Sequence, residues 1–141
     1  LGNCPSEQVV DICQQLKIAV QDKHPFAFKF ESLGGFPSNK SPRIFWIGVG
    51  EGKEKIADLQ HAVESALSSL GFKGEKREFH PHVTLARLKK PEDLRPILEE
   101  ISAEDISPKP INVDSIALFR SQLLSSGAQY FILEKIFLEK D

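Results

Sequence analysis

The stretch from Phe79 to Arg87 places an imidazole, a hydroxyl and a guanidinium close together in the chain. Alternate side chains of an extended strand share a face, so His82 and Thr84 are expected to point to the same side. By the same alternation Val83 and Leu85 point into a core. An imidazole exchanges protons near neutral pH, and hydroxyl and guanidinium groups bind phosphate oxygens. The stretch therefore suits chemistry on a phosphate ester.

Arg87 does not fit this alternation. Arg87 alternates in step with Val83 and Leu85, so its side chain is expected to face the core unless the strand twists, bulges or ends before it. His80 and His82 also share a face, and a His-x-His pair on a strand can ligate zinc or iron. A third ligand with clear spacing is missing, so we expect no metal.

The hydrophobic pattern predicts the elements that hold this stretch. An apolar stripe from Val9 to Val20 indicates a helix at about 6–22, with Pro5 and Ser6 as its start signal. Phenylalanines at 26, 28 and 30 indicate a half-buried strand that Gly34-Gly35 ends. Residues 43–49 are apolar at both odd and even positions, which indicates a central strand that is buried on both faces. The other expected elements are helices at about 53–70 and 92–102, and strands at about 79–88, 111–120 and 129–138.

The order of these elements suggests a repeat. The second half reads strand, helix, strand, strand, whereas the first half reads helix, strand, strand, as if its leading strand were lost. The match of Leu88 and Pro91 to Leu1 and Pro5 then places a counterpart of His82 and Thr84 a few residues before Leu1. The chain contains no Met, so we expect residues to precede Leu1.

Composition narrows the class of protein. With 141 residues, 40% of them hydrophobic, the chain is expected to be one domain, and with no apolar run of membrane length and no leader it is expected to be cytoplasmic. A net charge of -2 argues against coating nucleic acid through bulk electrostatics. Cys4 and Cys13 suit neither a disulfide framework nor a metal site, and we expect both to be reduced.

Residues 79–87 resemble the second signature of the two-histidine (2H) phosphoesterase superfamily. The resemblance is closest to the bacterial and archaeal RNA 2′,3′-cyclic phosphodiesterases, often labelled 2′-5′ RNA ligases. Residues 35–37 and 42–49 resemble the segment between the signatures of that family, and residues 119–121 and 127–130 resemble its C-terminal hairpin. Leu1-Gly2 looks like the end of the first signature, so the likeness covers essentially the whole chain with the first His-x-Thr absent.

The resemblance implies an α+β fold. It implies two pseudo-symmetric lobes, each an antiparallel sheet with helices on its outer face, and a cleft between the sheets. Within a single domain at 1–141, lobe one would occupy about 1–50, a connecting helix about 53–70 and lobe two about 79–138. The first strands of lobe one would be absent from this chain, leaving an exposed sheet edge that could pair with another chain.

The resemblance also implies the site. His82 would act as a general acid or base together with a second histidine that this chain lacks, since neither His24 nor His61 has the His-x-Thr spacing. Thr84 would donate its hydroxyl to a phosphate oxygen and Arg87 would neutralise the phosphate. Neither metal nor cofactor is implied. Weaker candidates for substrate contact are Phe79 and Tyr130, which could stack on a base, and Ser121.

Three functions remain open from the sequence. The first is metal-independent hydrolysis of RNA 2′,3′-cyclic phosphate ends to 2′-phosphates by a monomeric full-length protein, with reverse 2′-5′ ligation. The second is a non-catalytic half-site that binds a terminal phosphate or nucleotide. The third is a phosphodiesterase of small cyclic nucleotides or ADP-ribose derivatives on the same scaffold.

Overall fold

The computed structural model describes residues 1–139, which form four helices and seven strands. Chain order gives their bounds as follows: α1 Gln8–Val20, β1 Phe26–Phe28, β2 Phe30–Phe36, β3 Ile44–Val49, α2 Lys53–Ser68, β4 His82–Arg87, α3 Arg95–Glu100, α4 Ala103–Ile106, β5 Ile111–Val113, β6 Ser115–Leu124 and β7 Gly127–Phe137. Antiparallel pairing joins β2 to β3, β3 to β4, and β6 to β7. The expected α+β class is confirmed.

Contacts divide the described residues into two compact units. The sheet unit comprises residues 26–57 and 77–112, and the hairpin unit comprises residues 1–25, 58–76 and 113–139. Each unit is assembled from separate pieces of chain. The lobes expected from the sequence were continuous stretches at about 1–50 and 79–138, and the two units do not follow those boundaries.

The sheet unit is built on three strands in the order β2-β3-β4. The expectation that β3 is central is confirmed, and its Ile47 is only 2% exposed. Strand β1 pairs with β5 in a separate two-stranded sheet. Helix α4 packs against β2, and its buried Ala103 adds to the core of this unit.

The hairpin unit buries the apolar stripe of α1, as its spacing predicted. Ile12, Leu16 and Val20 are the buried residues of this helix, and α1 packs against β7. Lys17 and Glu134 form an ion pair of 2.9 Å between the same two elements, and its hydrogen bond raises the pKa of Lys17. Cys13, half-buried and free like Cys4, has its thiol pKa raised by burial.

Gly34 and Gly35 do not end a strand, contrary to the sequence prediction. Strand β2 continues through both to Phe36. A Cβ at position 34 would overlap the indole ring of Trp46, and one at position 35 would lie 2.5 Å from Cβ of Pro42. These glycines are needed because neighbouring rings lie against the backbone, and this close approach outweighs the low strand propensity of glycine.

The helix expected at about 92–102 is two short helices. Pro96 lies in the first turn of α3, as expected, and α3 ends before Ser102. Ser102 begins α4 with a capping box, in which its hydroxyl accepts from the Asp105 backbone N–H and Asp105 accepts from the Ser102 backbone N–H. This reciprocal cap lowers the pKa of Asp105 and stops α3 from continuing.

Candidate active site

His82 and Thr84 lie on one face of the three-stranded sheet, as alternation predicts. In the register of β3 and β4, His82 is opposite Gly48 and Thr84 is opposite Trp46. Directly opposed residues of an antiparallel pair project to the same side, so the two candidate residues share their face with the Trp46 ring.

Arg87 joins this face because β4 contains a bulge. The pairing moves from Trp46 opposite Thr84 to Phe45 opposite Ala86, so Leu85 is the extra residue. One extra residue reverses the alternation beyond it, which puts Arg87 opposite Ile44 and on the side of His82 and Thr84. The sequence predicted that Arg87 faces the core unless the strand twists, bulges or ends before it, and the structure contains such a bulge.

Val83 and Leu85 are not core residues, and that expectation was wrong. Val83 is 49% exposed and Leu85 is 40% exposed. Val83 pairs with the buried Ile47, but β4 is the last strand of its sheet in the described part of the chain. Burial therefore decreases from the central strand to this edge.

The ring of His82 is held by aromatic neighbours and by one hydrogen bond. Its centroid lies 5.4 Å from that of Phe36 and 6.4 Å from that of Trp46, both edge-to-face. The His82 Nδ1 lies 2.6 Å from the carbonyl oxygen of His80. Because a carbonyl only accepts, Nδ1 carries the hydrogen, and in the neutral ring Nε2 keeps its lone pair. The ring therefore offers Nε2 as its proton-exchanging atom.

Two glycines allow Trp46 to lie flat on this face. The Trp46 ring covers Gly34, and a Cβ at Gly48 would lie 2.8 Å from its Cζ3. The Phe36 ring stacks beside it at 5.2 Å and an interplanar angle of 28°. The Trp46 Nε1 is buried and makes no hydrogen bond to residues 1–139. These rings form the apolar floor against which His82 is oriented.

A pocket of about 310 Å³ opens beside His82, all of it within the sheet unit. Its lining residues are Ser32, Phe36, Trp46, Gly48, Val49, Lys53, His80, Pro81 and His82. Sequence reasoning did not find Ser32 or Lys53 as site residues. Their positions depend on strand register and on the turn after β3, and no local spacing in the sequence marks them.

The remaining candidates have less support from the structure. Phe79 precedes β4, is 40% exposed and does not line the pocket. Ser121 and Tyr130 belong to the hairpin unit and lie opposite each other on β6 and β7. Both are exposed, Tyr130 by 67%.

The part of the sheet unit that follows β4 contains an ion pair that perturbs a carboxylate. Arg95 donates to Asp93 from Nε at 2.9 Å and from Nη2 at 2.6 Å, and its backbone N–H donates at 3.0 Å. These bonds lower the pKa of Asp93 to about 2, and the side-chain hydrogen bonds have the largest effect.

Over residues 1–139, no group of three or more His, Cys, Asp or Glu side chains could hold a metal ion.

Comparison with protein families gives a match over residues 4–123 to the 2′-5′ RNA ligase superfamily. The chain belongs to this superfamily. A curated relative from Aquifex aeolicus, an RNA 2′,3′-cyclic phosphodiesterase, is 31% identical over 141 residues, which cover 98% of this chain and 74% of that protein. A relative of the same name from Aeropyrum pernix is 40% identical over 113 residues, covering 79% of this chain. The chain spans 64% of the length of the Aeropyrum relative.

Solved structures share this fold. A crystal structure of a Thermus thermophilus protein aligns with a TM-score of 0.68 and 28% identity, covering 98% of this chain and 74% of that protein. Escherichia coli LigT complexed with 3′-AMP aligns with a TM-score of 0.71 at 19% identity, over 98% of this chain and 72% of LigT. The LigT likeness supports the fold alone. No helix among the described residues is long and apolar enough to cross a membrane.

Proposed function

We propose that the protein to which this chain belongs hydrolyses RNA 2′,3′-cyclic phosphate ends to 2′-phosphates without a metal or other cofactor. The observation that carries the proposal is the row of His82, Thr84 and Arg87 on one face, to which strand alternation brings His82 and Thr84 and the bulge at Leu85 adds Arg87. The superfamily match and the curated names of the relatives support the same reaction class.

In the proposed reaction, water attacks phosphorus and the bond from phosphorus to the ribose 3′-oxygen breaks. His82 Nε2 accepts the proton of the attacking water or, when protonated, donates one to the leaving oxygen. Thr84 donates a hydrogen bond to a non-bridging oxygen, and the Arg87 guanidinium balances its negative charge. When the 5′-hydroxyl of another RNA attacks phosphorus in place of water, the same bond from phosphorus to the 3′-oxygen breaks, the 3′-oxygen takes up a proton, and a 2′-5′ linkage forms.

One imidazole does not complete this scheme, because one group must accept a proton while another donates one. We infer that the second group is a His-x-Thr motif preceding Leu1 in the full-length protein. His82-x-Thr84 is the one such motif in the 141 residues. This observation also supports a second candidate function, a half-site that binds a terminal phosphate or nucleotide without turnover.

Incubation with adenosine 2′,3′-cyclic phosphate in EDTA separates these functions. The full-length protein is expected to release adenosine 2′-phosphate, and its His82→Ala variant is expected not to. His61→Ala is the matched control, since His61 is an exposed histidine on α2, and it should retain activity. The 141-residue chain alone should be inert. An inactive full-length protein that still binds the nucleotide would instead support the half-site.

A further inference from the structure

Two polar side chains of the pocket have no partner among residues 1–139 and no role in the proposed reaction. Ser32 and Lys53 both line the pocket beside His82. Within residues 1–139, neither the Ser32 hydroxyl nor the Lys53 ammonium takes part in a hydrogen bond or ion pair. Lys29, by contrast, pairs with Glu51 at 3.5 Å. Donors that face a cavity unpaired are available to a ligand.

The register places Ser32 across the sheet from His82. Gly48 lies between them, opposite Ser32 on one side and His82 on the other. A Cβ at Gly48 would come within 2.5 Å of Ser32 Oγ, so the hydroxyl lies over this glycine. Two strand spacings separate the outer backbones by about 9.5 Å. The missing side chain at position 48 lets the Ser32 hydroxyl and the Trp46 ring lie close to the central strand, and the pocket is lined by both Ser32 and His82.

Lys53 contributes positive charge to the same space. It is the first residue of α2, and its backbone N–H donates to Gly50 at 3.1 Å. Gly52, at φ 82°, makes the turn that leads into the helix. No carboxylate lines the pocket, so nothing in its lining, among the residues that the structure describes, repels an anion or neutralises the lysine.

We propose that Ser32 and Lys53 bind a second phosphate of the substrate, the one on the 5′ side of the nucleotide whose cyclic phosphate lies at His82. This inference rests on the proposed function. An ammonium and a hydroxyl are both donors to phosphate oxygens, and the rings of Phe36 and Trp46 provide an apolar surface for the nucleoside between the two phosphates. The site thus selects RNA ends and 5′-phosphorylated nucleotides over nucleoside cyclic phosphates that lack a 5′-phosphate.

Binding measurements test this selectivity without requiring turnover. Trp46 is the only tryptophan of the chain and lines the pocket, so its fluorescence reports occupancy. We expect adenosine 2′,5′-bisphosphate to bind at least about tenfold more tightly than adenosine 2′-monophosphate, the size of one charged hydrogen bond. Lys53→Ala should abolish this preference while changing affinity for the monophosphate less than about twofold, and Ser32→Ala should reduce the preference in part.

Lys55→Ala is the matched control. Lys55 has the same charge, is exposed in the same turn of α2 and does not line the pocket, so its variant should keep the full preference. Lys53→Arg should also keep most of the preference. Circular dichroism of each variant checks that the fold is retained.

Three outcomes would overturn the inference. The first is equal affinity of the wild-type protein for the two nucleotides. The second is an equal loss for both in Lys53→Ala, which would place Lys53 at the 2′-phosphate. The third is no binding of either nucleotide. The turnover assay is independent of these binding measurements. Hydrolysis without a preference for the bisphosphate would support the proposed function and contradict the second phosphate site. A preference that depends on Lys53, in a protein that does not hydrolyse the cyclic phosphate, would contradict the proposed function and support the second phosphate site.

Discussion

The three-stranded sheet β2-β3-β4 and the hairpin β6-β7 both contain residues that the sequence singled out, but they position those residues differently. In the sheet, His82 contacts two aromatic rings and donates a hydrogen bond to a backbone carbonyl. In the hairpin, Ser121 and Tyr130 lie opposite each other and are exposed to solvent. Strand alternation decides which side chains share a face, and neighbouring side chains decide whether they are held there.

Glycine accounts for part of this difference. Gly34 and Gly48 leave room for the Trp46 ring on the sheet, and that ring in turn contacts His82. Near the turn of the hairpin, large apolar side chains are open to solvent instead, with Leu123 exposed by 83%. The following experiments change one region and use the other as the reference.

The largest effect is expected from His82→Ala, assayed with a 2′,3′-cyclic nucleotide in the full-length protein. Loss of a positioned acid or base commonly lowers the rate by about 10²–10⁴-fold. Tyr130→Phe in the hairpin should change the rate less than about twofold. A large loss of activity in Tyr130→Phe would show that the hairpin supplies a functional group as important to the reaction as His82.

Arg87→Ala is expected to lower the turnover rate by about 10²-fold, because it removes a charged donor to the phosphate. Arg120 is the hairpin counterpart, with its guanidinium 5.3 Å from the centre of the Phe131 ring. Arg120→Ala should leave the rate within about twofold. If Arg87→Ala and Arg120→Ala lower the turnover rate equally, the orientation that the bulge at Leu85 gives to Arg87 does not make this arginine more important than Arg120.

Gly34→Val is expected to lower the free energy of unfolding by about 1–3 kcal/mol, since the added atoms overlap the Trp46 ring and force it aside. Urea denaturation measures this change. Ala128→Val places a similar side chain on exposed β7 and should stay within about 0.5 kcal/mol of the wild-type value. Equal stability of the two variants would mean that Trp46 moves without cost.

The smallest effect concerns Asp93, whose pKa in the folded protein is about 2. A lowered folded pKa means that the pairing with Arg95 stabilises the protein fully above the unfolded value of about 3.9 and is lost as the pH falls toward 2. Asp93→Asn should therefore lower the melting temperature slightly at pH 6 and have no effect near pH 2. Glu139→Gln, an exposed change in the hairpin unit, should show no such pH dependence.

The sequence predicted the elements better than it predicted their details. Helix α1 and strand β3 followed from apolar spacing, because burial on one stripe or on both faces leaves a direct pattern. Gly34 and Gly35 were misread because rings distant in sequence or in the following loop, those of Trp46 and Pro42, lie against their backbone. The break between α3 and α4 had a readable signal, since Ser102 and Asp105 have capping-box spacing.

The site was predictable only in part. His82 and Thr84 were correctly placed on one face by alternation alone. The position of Arg87 depended on one unpaired residue, and a bulge leaves no unique pattern in a six-residue strand. Ser32 and Lys53 come from elements distant in sequence, so only the register and the turn after β3 bring them to the pocket.

The bulges have a further consequence for solubility. Strands β2 and β4 are the two outer strands of their sheet in the described structure, and each contains one extra residue, Glu31 in β2 and Leu85 in β4. A regular outer strand is a template on which another chain can add and start aggregation, and a bulge interrupts the row of free backbone groups that this requires. The residue that turns Arg87 toward the face of His82 thus also protects one border of the sheet against intermolecular β-pairing.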